Sequence, residues 1–242
     1  VGYDLIDVAA LTRAHIPVMI TGIANSPSVA EHALYLMLEL AKRGAMFHAM
    51  AAENRWSQRM AHGLPGDLFD KTVLIVGFGR IGTRLAKMCA ALGMRVSVYD
   101  PYIDAAAIGA AGCLPESNLN EALATADFVS INCPKTVETN GLIGAQQFAR
   151  MKPTAFIVNT ARGGIIDEIA LHAALTTNRI AGAGMDADKA AVVAEMLVEA
   201  DLIGHSTHGS GLVEGYLDAL ASGEMLKSQL RDQIVGNRPT PN

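Results

Sequence analysis

Apolar residues along this chain fall into two alternating patterns, short unbroken runs and longer stretches repeating every three to four positions. Val73-Leu74-Ile75-Val76 is a run of strand length, too short for a helix and suited to burial on both faces. Leu85, Ala86, Met88, Cys89 and Leu92 then recur at helical spacing, Gly93 stops that helix, and residues 95–99 read as a second strand ending on Asp100. Further on, residues 105–111, 118–124, 145–151 and 168–175 read as helices, the last capped by Asp167. Residues 127–133, 155–159 and 180–185 read as strands, with a brief extended piece at 112–114. Pro134, which has no N–H for a ladder, ends the strand before it. Strands and helices alternating in this way predict an α/β fold with a doubly wound parallel sheet of the Rossmann type.

Upstream of Val73 the pattern is less regular. Residues 7–14 read as a short helix and 17–21 as a strand with no earlier strand to pair with, as at the edge of a small domain. Ser28-Val29-Ala30-Glu31 has the form of a capping box, and Val29, Ala33, Leu36, Met37 and Leu40 continue it as a long helix to about residue 50. Residues 51–70, with Trp56, Pro65 and Gly66, read as loop, and residues 187–202 as an amphipathic helix.

Composition narrows the class. With 242 residues, half of them hydrophobic, the chain can bury a full core. A net charge of −5 and the lack of a Lys/Arg cluster argue against a nucleic-acid surface. No apolar run reaches the roughly eighteen residues of a membrane span, and the start has no signal-peptide pattern. Cys89, Cys113 and Cys133 are an odd number without metal-ligand spacing, so reduced thiols, a cytoplasmic setting and no metal are expected. The first residue is not Met, and the chain is expected to be cut at its N-terminus.

Candidate chemistry gathers where strands end. Gly77-Phe78-Gly79-Arg80-Ile81-Gly82 links the first strand to its helix. Gly77 permits a tight turn, Gly79 lets backbone approach a pyrophosphate, and Gly82 lets the helix pack close to the sheet. The first helical turn then offers N–H groups and a positive dipole end to phosphates. Asp100 is placed to accept from the adenosine ribose hydroxyls and would repel a 2′-phosphate, which favours NAD over NADP. Arg162, in Asn159-Thr160-Ala161-Arg162-Gly163-Gly164, leaves a strand with open backbone behind it, where a guanidinium could take a carboxylate in bidentate fashion and polarise an adjacent carbonyl. His208 lies among Ser206, Thr207, Gly209, Ser210 and Gly211, where from the residues alone an exposed bystander and a functional group are equally open readings.

Several of these stretches, VGYDLIDVAA, SVAEHAL, VGFGRIG, VYDP, CPKTVETNGLIG, MKPTAFIVNTARGGIIDEIAL and IAGAGMD, occur in the order seen in the D-isomer-specific 2-hydroxyacid dehydrogenases, which the chain resembles over nearly all of its length. The resemblance implies that NAD is the cofactor and that a small 2-hydroxy or 2-oxo acid is the substrate. It implies that Arg162 binds the substrate, and that His208 donates and removes the proton at the carbonyl oxygen. It further implies that Asp186 holds the nicotinamide carboxamide with help from the backbone at Thr160 and Ala161. Cys133, Pro134, Thr139 and Gly209 are implied to line the cofactor alongside Gly77, Gly79, Arg80, Ile81, Gly82 and Asp100.

By the same resemblance, residues 1–23 are the remnant of a flavodoxin-like substrate domain, 24–211 the NAD-binding domain, and 212–242 a segment returning to the substrate domain. A homodimer pairing through the apolar helix that begins at Val29 is expected. Two departures stand out: Ala191 occupies the position of the family's glutamate that orients the histidine, and Thr207 stands where a proline precedes it. Asp188 or Glu195 could supply the missing carboxylate. A catalytically weakened NAD(H)-binding sensor or interaction module therefore stands as the alternative to a working oxidoreductase.

Overall fold

The computed structural model describes residues 6–19 and 24–185. Six parallel strands form one sheet in the order β3-β2-β1-β4-β5-β6: β1 (Thr72–Val76), β2 (Arg95–Tyr99), β3 (Leu114–Glu116), β4 (Phe128–Ile131), β5 (Phe156–Asn159) and β6 (Gly182–Met185). This is the doubly wound arrangement predicted from the alternation of runs and repeats, with the strand order reversing between β1 and β4.

Strand residues alternate between two apolar layers. Leu74, Val76, Val129, Ile131 and Ile157 face a layer closed by α6 (Leu119–Thr125), α7 (Ala145–Phe148) and α8 (Glu168–Thr176). Val73, Ile75, Val96, Val98 and Val158 face the other, closed by α2 (Ser26–Lys42) and α4 (Arg80–Ala91). Covered on both sides, the strands have no polar face, which is why they read as unbroken runs. The small residues of β6 have a packing reason, since a Cβ at Gly184 would stand 3.1 Å from Leu36 Cβ of α2.

The N-terminal third departs from the sequence reading. Residues 17–19 join no ladder and are exposed, Met19 at 95%. The remainder of the expected 17–21 strand lies outside the described residues. α1 (Val8–Arg13) forms as expected, its Asp7 cap accepting from Ala10 N–H at 2.8 Å. α2 begins at Ser26, not at a Ser28 box. Pro27 fills the first turn, where a missing N–H does no harm, and Asn25 is the N-cap.

The long helix is two helices, because Arg43 takes a left-handed conformation (φ 52°) and starts α3 (Gly44–Ala52). Glu39 secures the break by accepting from Ala45 N–H at 2.6 Å, and a Cβ on Gly44 would collide with its carboxylate. The expected loop 51–70 contains a 3₁₀ helix, Trp56–His62, with Arg59 stacked 5.4 Å from the Trp56 ring. α5 (Ala105–Ala110) is followed by a left-handed Gly112 (φ 78°), so the extended piece begins at Leu114, two residues later than expected. Pro115 is tolerated because β3 is an edge strand.

At the N-terminal end of the sheet, Asp127 ties two elements together. Its carboxylate accepts from Thr72 N–H at 2.9 Å and from Lys152 Nζ at 2.8 Å. Burial alone would raise this carboxyl, but the Lys152 and Thr72 hydrogen bonds outweigh it and hold it below the usual range. A lowered folded pKa means the stabilisation is complete above the unfolded value of about 3.9 and disappears as pH falls through the folded one. Asp127→Ala should therefore lower stability by about 2–3 kcal/mol at pH 7. Urea midpoints for the two proteins should converge as the pH is taken down through the acid range below about 3.9; a gap unchanged at low pH would refute the linkage.

Candidate functional site

The C-terminal edge of the sheet collects the groups singled out in the sequence. Gly77 leaves β1 with φ 97°, and a Cβ there would lie 2.6 Å from Cys133 N, so only glycine lets the turn pass beside the end of β4. A Cβ on Gly82 would stand 2.1 Å from Gly77 O and 3.2 Å from Ile75 Cγ2, which fixes how closely α4 sits on the turn. Gly79, the N-cap of α4, is the opposite case: a Cβ there meets nothing within 4 Å. No side chain caps α4, so its N-terminus presents backbone amides to that space. Gly79 and Arg80 are exposed and Ile81 is half-buried.

Asp100, at the end of β2, is half-buried and accepts from Phe78 N–H at 2.7 Å and from Tyr102 N–H at 2.9 Å. It fastens the glycine turn to the neighbouring strand end, and each carboxylate oxygen retains capacity to accept a further hydroxyl.

Beyond β4, Cys133 is half-buried, and burial pushes its thiol up to about 11, with Asp100 adding to the shift. An un-ionised thiol at neutral pH is lining rather than nucleophile. Pro134 is exposed, and its carbonyl accepts from Thr139 Oγ1 at 2.6 Å; Thr136 N–H donates back to the same hydroxyl at 2.8 Å. Thr139 thus shapes the loop after Cys133.

Beyond β5, a turn carries Arg162. Asn159, fully buried, accepts from Ala161 N–H through Oδ1 and donates through Nδ2 to Arg162 C=O, both at 3.0 Å. The half-buried Arg162 donates through Nη1 to Ala161 O at 2.8 Å. Gly164 (φ 76°) lies against Lys135, and its N–H donates to Glu168 Oε1 at 3.2 Å. Gly141 N–H to Gly164 O (2.7 Å) and Asp167 N–H to Ile143 O (2.9 Å) clasp the loop after β4 to the Arg162 turn. The two cofactor-side loops thereby form one unit.

Two buried polar atoms at this edge have no partner among the described residues: Asn132 Oδ1 and Thr160 Oγ1. They follow Ile131 and Asn159, which are paired between β4 and β5. Buried polar atoms seldom go unsatisfied, so this corner suits a bound group with polar atoms. With the open backbone at Gly79 and the uncapped α4 N-terminus, the residues present fit a dinucleotide.

The sequence reading passed over Asn159. A polar residue closing an otherwise apolar strand was the available signal, since a buried amide must be hydrogen-bonded. Asn159→Asp keeps the acceptor for Ala161 N–H but sets an oxygen against Arg162 C=O. Turnover is expected to fall about tenfold or more for a lost interaction of this kind, with NADH affinity changed far less. Parallel loss of both would show Asn159 to be only a packing residue.

The structure brings Gly77, Gly79, Arg80, Ile81, Gly82, Asp100, Cys133, Pro134, Thr139, Thr160, Ala161 and Arg162 to one edge of the sheet, on the loops that follow β1, β2, β4 and β5 and on the first turn of α4. Asp186, His208 and Gly209 lie outside the described residues, as do Asp188, Ala191 and Glu195. No cluster of metal-ligating side chains occurs among the described residues, and no helix among them is long and apolar enough to cross a membrane.

Comparison with known proteins agrees with this geometry. Residues 34–208 match the family described as "D-isomer specific 2-hydroxyacid dehydrogenase, NAD binding domain". A D-3-phosphoglycerate dehydrogenase from Synechocystis sp. is 40% identical over 186 residues, 77% of this chain and 33% of the relative. The chain thus spans about a third of that relative's length. Among solved structures, D-mandelate dehydrogenase from Rhodotorula graminis superposes with a TM-score of 0.71 at 30% identity, over 77% of this chain and 56% of that one. D-lactate dehydrogenase with NAD+ from Lactobacillus jensenii gives 0.66 at 28% identity, over 77% and 55%.

Proposed function

The chain belongs to the D-isomer-specific 2-hydroxyacid dehydrogenase family and carries its NAD-binding domain, and from that premise we propose that the whole protein is an NAD-dependent oxidoreductase interconverting a D-2-hydroxy acid and a 2-oxo acid. The observation that carries the proposal is the shared sheet edge, where the Gly77–Gly82 turn, Asp100 and the clamped Arg162 stand at the C-terminal ends of β1, β2 and β5. The residues of this edge would hold the dinucleotide, which would supply the hydride chemistry. The α4 N-terminus holds its phosphates and Asp100 its ribose hydroxyls. Arg162 binds the substrate carboxylate and draws electron density from the neighbouring carbonyl, with geometry a lysine cannot reproduce. His208 donates the proton at the carbonyl oxygen and removes it in the reverse direction, help typically worth about 10²–10⁴-fold. Asp186, Thr160, Ala161 and Gly209 orient the nicotinamide end.

Residues 24–211 are assigned to the cofactor domain, with 1–23 and 212–242 belonging to a substrate domain. A homodimer is supported by apolar side chains standing in solvent on α2 and the following segment, namely Tyr35, Trp56, Met60 and Leu64. Free thiols at Cys89, Cys113 and Cys133 suit the reducing cytoplasm.

The test is a fluorescence titration with NADH followed by NADH-oxidation assays with glyoxylate, hydroxypyruvate and phosphohydroxypyruvate. Binding with turnover of at least one acid is expected; binding without any turnover would sink the catalytic reading. Ala191 favours a second reading, an NAD(H)-responsive module without efficient catalysis. Ala191→Glu separates the two, because a large gain in rate marks an enzyme short of one carboxylate and no gain marks a sensor.

A further inference from the structure

A cavity of about 430 Å³ opens beside Asp100 at the C-terminal ends of β2 and β3, lined among others by Tyr99, Pro101, Ile103, Pro115 and Glu116. Tyr99 and Glu116 are ladder partners, so Glu116 stands one strand, about 4.8 Å, across from the residue preceding Asp100. The two carboxylates are differently compensated. Asp100 is already given the N–H groups of Phe78 and Tyr102. The Glu116 side chain has neither hydrogen bond nor ion pair among the described residues, and no Lys, Arg or His among them lines the cavity. Burial raises its carboxyl and Glu121 adds to the effect, as expected of a negative charge with no cation beside it.

We propose that Glu116 is a second determinant of cofactor choice, rejecting with Asp100 a dinucleotide that carries a 2′-phosphate. The inference rests on the proposed placement of the adenosine ribose beside Asp100 and adds the residue on the next strand. A phosphomonoester brings about 1.5 to 2 negative charges at pH 7. In the partly solvated cavity that Glu116 shares with Asp100, that charge would meet a second, uncompensated carboxylate, and the repulsion should change affinity by about three- to tenfold, less at high salt. NADH has only a hydroxyl at that position and is indifferent to the charge on Glu116.

Titration of the full chain with NADH and with NADPH, by nicotinamide fluorescence at low and high salt, decides the matter for wild type, Glu116→Gln, Asp100→Ser and the double variant. Glu116→Gln should tighten NADPH about three- to tenfold while NADH stays within about twofold, the gain should shrink in high salt, and the double variant should exceed either single one. A ratio of NADPH to NADH affinity that Glu116→Gln leaves unchanged, in both the wild-type and Asp100→Ser backgrounds, overturns the proposal. Glu116→Ser serves as the second variant if the glutamine form does not fold. A wild-type chain that binds neither nucleotide overturns the cofactor reading itself and this inference with it.

Discussion

Gly82→Ala should cripple both the fold and the cofactor site, whereas Gly79→Ala, three residues earlier, should cripple only the site. The Cβ added at Gly82 would stand 2.1 Å from a backbone oxygen, Gly77 O, and no flexible side chain can yield. Either α4 moves off the turn or the turn opens. Both disturb the layer of Leu85, Ala86 and Cys89 beneath, for a loss of about 3 kcal/mol, at the upper end of overpacking effects. At Gly79 the added Cβ meets nothing within 4 Å and the backbone is extended, so melting should be unchanged or slightly raised. NADH affinity should nonetheless fall about 100-fold or more, equivalent to about 3 kcal/mol, because a methyl then occupies the place where backbone must approach phosphate. Urea unfolding and NADH titration on the two variants separate the effects. Tight NADH binding by Gly79→Ala would show that phosphates do not lie over the α4 N-terminus.

Arg162→Lys should retain NADH binding within a few-fold and lose about 10²–10³ in kcat, the range for removing one preorganised donor from a developing charge. Lysine keeps the positive charge, so a purely long-range role would survive the change. What it loses is the planar fork, which presents two parallel N–H bonds to a carboxylate. Arg162 already donates to Ala161 O at 2.8 Å and is carried on a turn whose peptide groups are clamped by Asn159, so its position is set before a substrate arrives. Steady-state kinetics with the best 2-oxo acid, alongside the NADH titration, checks this. Equal loss of NADH affinity and kcat would mean that the substitution has disturbed the cofactor edge as a whole.

The helix that breaks at Arg43 shows where sequence reading runs out. Apolar residues resume at Ala45 beyond Lys42-Arg43-Gly44, so the pattern reads on to Met50, and the break is held by a side chain reaching across it, Glu39 accepting from Ala45 N–H. The Ser28 box failed for a related reason, since Pro27 already fits the first turn and leaves no donor there to be capped. Residues 17–19 of the strand expected at 17–21 had apolar residues in their favour but join no ladder among the described residues, and propensity alone does not make one.

At the site, the glycine turn, Asp100 and Arg162 were legible because each sits at the boundary of an element whose period can be read along the chain. Asn159, the Thr139 hydroxyl, the orphaned Asn132 Oδ1 and Glu116 were not. Their meaning lies in the contacts that a turn, a loop or a shared cavity gives them, not in their place in a period.

By itself the sequence determined the alternation of buried runs and amphipathic repeats, and with it a parallel sheet whose strand ends carry glycines, Asp100 and Arg162. Burial on two faces admits few alternatives for such a pattern. Only the tertiary structure decided that Asp100 also fastens the glycine turn, that Asn159 holds the arginine's backbone, and that Glu116 shares a cavity with Asp100. The first and last join residues far apart in the chain, set by strand order and register, and the second depends on how the turn after β5 folds back on its own strand end, so one-dimensional periodicity carries no record of any of them.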